Sequence, residues 1–238
     1  IEINAGSRHI GGIIGFGKGS TKISNCTNTS RLAGAYNVGG IAGSLEGGSI
    51  TNCGNSGVLP ATGASGCVGG IVGYTSDGQI STCYNTGEIT GGSNARVGGI
   101  VGLSVVFPSI SDCYNVGAVH GGQSTGGIAG SAIGTYRYCY NTGAVTDSQC
   151  RGGVIGRNSG ITIDHCYYLD TAAPEGISQD NQSGVESRTA AEFANGSVLK
   201  SLTEGRADGQ HPWNGSCQYL NATGKTQPVF TSQGDTHN

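Results

Sequence analysis

The sequence predicts an all-β fold: a right-handed parallel β-solenoid of about six coils, followed by a capping helix and tail. Three observations predict it. The first is a repeat: Gly-Gly-Ile or Gly-Gly-Val stands at Gly11-Gly12-Ile13, Gly39-Gly40-Ile41, Gly69-Gly70-Ile71, Gly98-Gly99-Ile100, Gly126-Gly127-Ile128 and Gly152-Gly153-Val154, in steps of 28, 30, 29, 28 and 26 residues. Periods of this size mark units that stack to share a core. The second is a cysteine on the same beat, at Cys26, Cys53, Cys83, Cys113, Cys139 and Cys166. The third is the content of one repeat. Residues 68–91 hold three apolar stretches of strand length, rich in β-branched residues and separated by Gly, Asn, Asp and Ser. Three strands in about 29 residues, with neighbouring coils paired roughly 4.8 Å apart, make a rod about 30 Å long.

Within a repeat, the Gly-Gly pair lets strands from different sides of the coil approach closely. Strict alternation from Ile80 would send Thr82 inward and Cys83 outward. The equivalents of Thr82 are Asn25, Asn52 and Asp112, which suit a core poorly, so a bulge or bend is expected there, with Ile and Cys both inward. Cys26, Cys53, Cys83, Cys113, Cys139 and Cys166 then form an interior thiol stack. Asn28, Asn55, Asn85, Asn115 and Asn141 follow two places later and are read as a hydrogen-bonded ladder at a coil corner, where Asn also tolerates left-handed backbone. Gly57, Gly87, Gly117 and Gly143 come two residues after that and are expected to need positive φ.

The repeat fades at Cys166-Tyr167-Tyr168-Leu169-Asp170. Residues 1–170 are therefore assigned to the solenoid and 171–238 to a cap and tail. Thr189 and Glu192 form a capping box, which starts a helix that Gly205 ends. Phe193, Leu199 and Leu202 are expected to cover the open end of the rod, with Trp213 and residues 228–230 completing the cap.

Composition narrows the function. Gly is 46 of 238 residues, against an ordinary share of about 7%, but without the three-residue period of collagen. Net charge is −3 and there is no basic run, which argues against nucleic acid and anionic membranes as partners. No apolar stretch reaches the length of a membrane span. The first residues, Ile1-Glu2-Ile3-Asn4, do not form a signal peptide, and the chain reads as an excised or processed piece of something longer. Nine cysteines without a CxxC pair argue against zinc and redox motifs. Cys67, Cys150 and Cys217 fall outside the periodic set, and their redox state is left open.

On these residues the chain resembles the GLUG-repeat family over about residues 10–170, most closely at 69–91, 98–119 and 126–145. Residues 189–213 look like the tail that follows such repeats. The first coil departs at Thr27, Thr29 and Ser30, and the last at Tyr168 and Asp170. The resemblance implies a bacterial extracellular or cell-surface protein: an adhesin-like module, or the non-catalytic region of an IgA-cleaving metallopeptidase. It brings no catalytic residues, cofactor or metal.

Candidate sites are weighed against the repeat. Gly15-Phe16-Gly17-Lys18-Gly19-Ser20 is a faint phosphate-loop match, but it is one copy of a turn that recurs at residues 73–78. The histidines (His9, His120, His165, His211, His237) keep no ligand spacing. A β-helix carbohydrate-active enzyme needs paired acids on neighbouring coils, and Asp112 and Asp164 lie two coils apart. The surface candidate is a row after the cysteines, Tyr84, Tyr114, Tyr140 and Tyr167, expected to point outward. Such rings could bind a host glycan or protein, or another domain of a larger chain, or could simply stabilise adjacent coils.

Overall fold

In the computed structural model the described residues are 2–5, 8–61, 65–146, 148–180, 183–207, 211–220 and 225–230. The Cys217 side chain, His237 and the last stretch of the expected tail lie outside them. Successive coils pair in parallel, residue on residue: Ile80 lies between Ile50 and Ile110, and Val72 between Ala42 and Val101. Ile71 N donates to Ile100 O at 3.0 Å, so equivalent residues stack on adjacent coils. About six turns build the rod.

The first four coils are each five short strands rather than three, and in the fifth and sixth the second and third of these run together as Ala129–Arg137 and Ile155–Asp164. The third coil has Cys67–Gly69, Val72–Ser76, Gln79–Ser81, Tyr84–Asn85 and Ile89–Gly91. Two of the expected stretches are each cut once. The Gly-Gly pair breaks the first. The residue before each cysteine breaks the second, because it sits in the left-handed region. Asn25, Asn52, Thr82, Asp112, Tyr138 and His165 have φ between 49° and 56°. This single bend turns Ile and Cys to the same side, as the misfit of Thr82 required. Left-handed backbone therefore belongs to this column and not to the Asn two places after the cysteine.

The interior holds two apolar clusters. One gathers Ile71, Val72, Ile80 and Cys83 with their equivalents along the rod. The other gathers Leu32, Val38, Leu59, Val68, Ile89, Val97 and Val119. The Asn column lies between them, buried, and not at an outer corner. Asn55, Asn85, Asn115 and Asn141 are 0% exposed. Each Nδ2 donates to the Oδ1 of the next, from Asn28 through Asn55, Asn85 and Asn115 to Asn141, at 2.7 Å. The second Nδ2 hydrogen goes to the carbonyl two residues on, for example from Asn85 to Gly87 O at 2.8 Å. Glycine makes room for this. A Cβ on Gly70 would meet the Asn85 side chain at 2.6 Å. Gly57, Gly87, Gly117 and Gly143 do not have positive φ. They are glycines because a Cβ there would strike the backbone carbonyl of the coil below, as Gly87 would strike Gly57.

Cys53, Cys83, Cys113, Cys139 and Cys166 are 0% exposed, while Cys26, on the first coil, is half-buried. Each buried thiol donates to the carbonyl two residues earlier, at 3.1–3.4 Å. Burial pushes the Cys113 and Cys166 thiols well above the ordinary thiol range.

Solenoid pairing does not stop at 170. Gly176 O accepts from Val154 N at 2.8 Å, and Ile177 enters the core. Val185–Arg188 then lies parallel on Cys166–Leu169. This partial seventh turn is the last of the solenoid pairing among the described residues. The capping box at Thr189 is present, but the expected helix is two: α1 (Ala190–Ala194) and α2 (Ser197–Thr203), broken at Gly196 with φ 87°. They lie along the flank of the rod rather than across its end.

Replacing Asn85 by Ala should lower stability by about 3 kcal/mol in chemical denaturation, because Asn55 Nδ2 keeps only one of its two acceptors, and Asn115 Oδ1 and the Gly87 carbonyl lose the Asn85 donor in a buried site. Cys53, Cys83, Cys113, Cys139 and Cys166 should label slowly with a thiol reagent in the native state and rapidly in denaturant. Unfolded thiols ionise near pH 9.0, whereas burial makes the folded Cys113 and Cys166 thiols resist it. Stability should therefore hold below pH 9 and fall as pH rises above it, read from the denaturation midpoint.

Candidate functional site

The tyrosine row forms because each ring directly follows an inward cysteine and so points away from the core. Tyr84 and Tyr114 stack with centroids 5.6 Å apart and planes at 17°, and Tyr114 and Tyr140 at 5.1 Å and 1°. The row faces outward from the solenoid, as expected, but it is not open to solvent. Tyr114, Tyr140 and Tyr167 are 1%, 0% and 4% exposed, and only Tyr84 is partly exposed. The tail covers it. Phe230 lies 5.0 Å from Tyr114, Trp213 lies 5.6 Å from Tyr140, and Phe193 lies 5.5 Å from Tyr140. Val198, Leu199 and Leu202 of α2 join the same cluster. Stacked rings present an apolar strip that a short chain segment can bury with large gain. A ligand for this row would have to displace the tail.

The tail is held by a polar anchor. Asp112 occupies the left-handed column, so its carboxylate projects from the bend. Arg206 Nη1 and Nη2 donate to Asp112 Oδ1 and Oδ2 at 2.6 and 3.2 Å, and Trp213 Nε1 donates to Oδ1 at 3.2 Å. The Arg206 guanidinium also sits 4.1 Å above the ring of Tyr138, the next residue of the column. Asp112 and Arg206 are largely buried, and a fork-on-carboxylate pair so placed is strong. From sequence, Asp112 is expected at the bend and stands among the candidate acids, with nothing to link it to Arg206 or Trp213. The one available signal was an acid in a column otherwise of Asn, Thr, Tyr and His.

The other candidates are placed as follows. Asp164 pairs with His165 at 2.9 Å and shares no column with Asp112, so the two acids are not brought together. Residues 15–18 lie in the strand Ile14–Lys18 and residues 19–20 in the turn after it, where Lys18 N donates to Thr21 Oγ1 at 3.0 Å. His9 Nδ1 lies 2.6 Å from Ser44 Oγ, but that hydroxyl is fully buried. His120 lies 3.7 Å from Glu88. Cys67 is buried, and its thiol is pushed up to about 11 by desolvation, against the opposing pull of Arg96. Among the described residues no group of three or more His, Cys, Asp or Glu is arranged to hold a metal.

Fold and flank together define a repeat module: a parallel β-solenoid with a docked tail. More particularly, the third coil matches a known repeat motif. The family model described as "The GLUG motif" matches residues 64–90. Among solved structures, the chain is similar to the crystal structure of a candidate immunoglobulin A1 protease from Bacteroides ovatus. The TM-score is 0.54 and the identity 17%, over 91% of this chain and 75% of that one. At that identity the likeness concerns the fold. No curated protein matches the chain.

Changing Arg206 to Ala should leave Asp112 and Trp213 Nε1 in a broken network and loosen the tail, at a cost of about 3 kcal/mol. Trp213 fluorescence should shift to the red, and limited proteolysis should cut within residues 188–230 while the solenoid stays intact.

Proposed function

We propose that this chain is a non-catalytic, rigid repeat module of a bacterial secreted or surface protein, acting as a scaffold or adhesin-type surface. The observation that carries the reading is the unbroken Asn55–Asn85–Asn115–Asn141 ladder. It commits the buried polar side chains of each coil to its neighbours, which stiffens the rod along its axis. The acid that best suited a hydrolytic site, Asp112, is committed to Arg206 and Trp213. Partners in this reading are a host glycan or protein, or other domains of a larger chain. No described helix is long and apolar enough to cross a membrane. The test is direct: the purified chain should cleave neither polysaccharide nor immunoglobulin hinge peptides, and small-angle scattering should give a rod. Cleavage that disappears on changing Asp112 or Asp164 would sink the proposal.

The Bacteroides neighbour favours a second reading, an accessory region of a secreted immunoglobulin-cleaving enzyme. In that case, removing these residues from a parent enzyme should raise KM for the intact immunoglobulin and leave kcat on a short peptide unchanged.

A further inference from the structure

The buried sulfurs of the solenoid form a column along the rod. Gly54, Tyr84, Tyr114, Tyr140 and Tyr167 pair residue on residue through successive coils. The cysteines just before them, Cys53, Cys83, Cys113, Cys139 and Cys166, are therefore in register too, and all are 0% exposed. Their side chains also repeat. Each thiol donates to the carbonyl two residues earlier, at 3.3, 3.1, 3.1, 3.2 and 3.4 Å in turn. A side chain that keeps one pose while its backbone advances by a coil carries its sulfur forward by the same step, about 4.8 Å. Ile71, Ile80 and Ile110 share the cluster, so the surroundings of the column are apolar.

The thiol protons are dispensable to the fold. The carbonyls they reach already hold a backbone donor on the neighbouring coil. Thr51 O accepts from Asn25 N at 3.2 Å, Ser81 O from Asn52 N at 3.1 Å, and Ser111 O from Thr82 N at 3.2 Å. Arg137 O accepts from Asp112 N at 3.1 Å and Asp164 O from Tyr138 N at 3.2 Å. An S–H is a weak donor beside these N–H groups. Removing it leaves none of the five carbonyls without a partner.

Two sulfurs one coil apart match one kind of ligand. A metal–thiolate bond is about 2.3 Å long, so an ion midway between two sulfurs needs them about 4.6 Å apart. Thiolates select soft ions such as Cu(I). Soft monovalent ions accept two sulfurs in line. Zinc takes four ligands, and among the described residues no three His, Cys, Asp or Glu are arranged for it. We propose that the cysteine column binds a soft monovalent cation, of which Cu(I) is the type, between sulfurs of consecutive coils. One thiol proton leaves to solvent as each ion enters, and no electron is transferred. The resulting thiolate, the cation and the second thiol are together neutral, as an apolar interior requires. A sulfur with an ion on one side is badly placed to bond another in line on the opposite side. Ions therefore take alternate gaps, and each ties one coil to the next.

The test supplies Cu(I), as its acetonitrile complex and without oxygen, to the reduced full chain, with time for the buried column to exchange. Native mass spectrometry should show two retained ions, or three when the half-buried Cys26 pairs with Cys53. X-ray absorption on the loaded chain should show two sulfur neighbours per ion and no nitrogen or oxygen. Two triple variants, each keeping six of the nine cysteines, separate the column from thiols in general. Cys53→Ser with Cys113→Ser and Cys166→Ser leaves Cys26, Cys83 and Cys139, no two of them on consecutive coils, and should lose every ion. Cys67→Ser with Cys150→Ser and Cys217→Ser leaves the column whole and should retain them all. If the first variant fails to fold, the X-ray absorption result on the wild-type chain decides. Equal retention by the two folded variants, nitrogen or oxygen bound to the ion, or a wild-type chain that retains none would each overturn the proposal.

Discussion

The arrangement of the coil depends on one buried hydrogen-bonded column. A parallel β-solenoid bends its chain several times per turn, and each bend leaves polar groups that water cannot reach. Here an asparagine on each of five coils takes up that duty at the waist between two apolar clusters. It bonds to the asparagine of the next coil and to the carbonyl two residues along its own. Such a network is stable only when complete, because a half-satisfied amide in a low-dielectric interior is costly. The glycines follow from it. The second glycine of each pair clears the amide, and the later glycine lets consecutive coils approach without a Cβ striking a carbonyl. The high glycine content is therefore a packing requirement rather than a sign of flexibility.

The second constraint is the left-handed residue before each cysteine. It brings Ile and Cys to the interior and throws the following tyrosine to the outside. The same bend projects a column of polar side chains beside the tyrosine row. A tail that carries both an arginine and several aromatic residues can satisfy the two surfaces at once, and Arg206 with Trp213 and Phe230 does so. The aromatic row that looked like a docking strip is thus an internal interface, and the carboxylate that looked like chemistry is its anchor.

Docking of the tail closes one flank of the rod. Coils in the middle spend their backbone groups on neighbours above and below. The stack of coils therefore provides length and stiffness.

The rung architecture was legible in the residues themselves. A strict recurrence of Gly-Gly-Ile, Cys and Asn repeats the same local geometry coil after coil, so the stack of Ile71 on Ile100 follows from periodicity alone. The bend before the cysteine was also legible, since Asn, Thr and Asp fit no core. The division of the coil into five strands was not, because a single left-handed residue inside an apolar run leaves little trace in hydrophobic pattern. Nor was the reason for Gly57, Gly87, Gly117 and Gly143, because positive φ and a close carbonyl select the same residue. The tail was decided by tertiary structure. Its contact with the rod joins Asp112 to Arg206 across 94 residues and occurs once, so no repeat announces it. Helix caps and apolar spacing established that a helix begins at Thr189. Only the apolar strip of stacked rings and the buried carboxylate beside it determined that the tail should lie on the flank and not over the end.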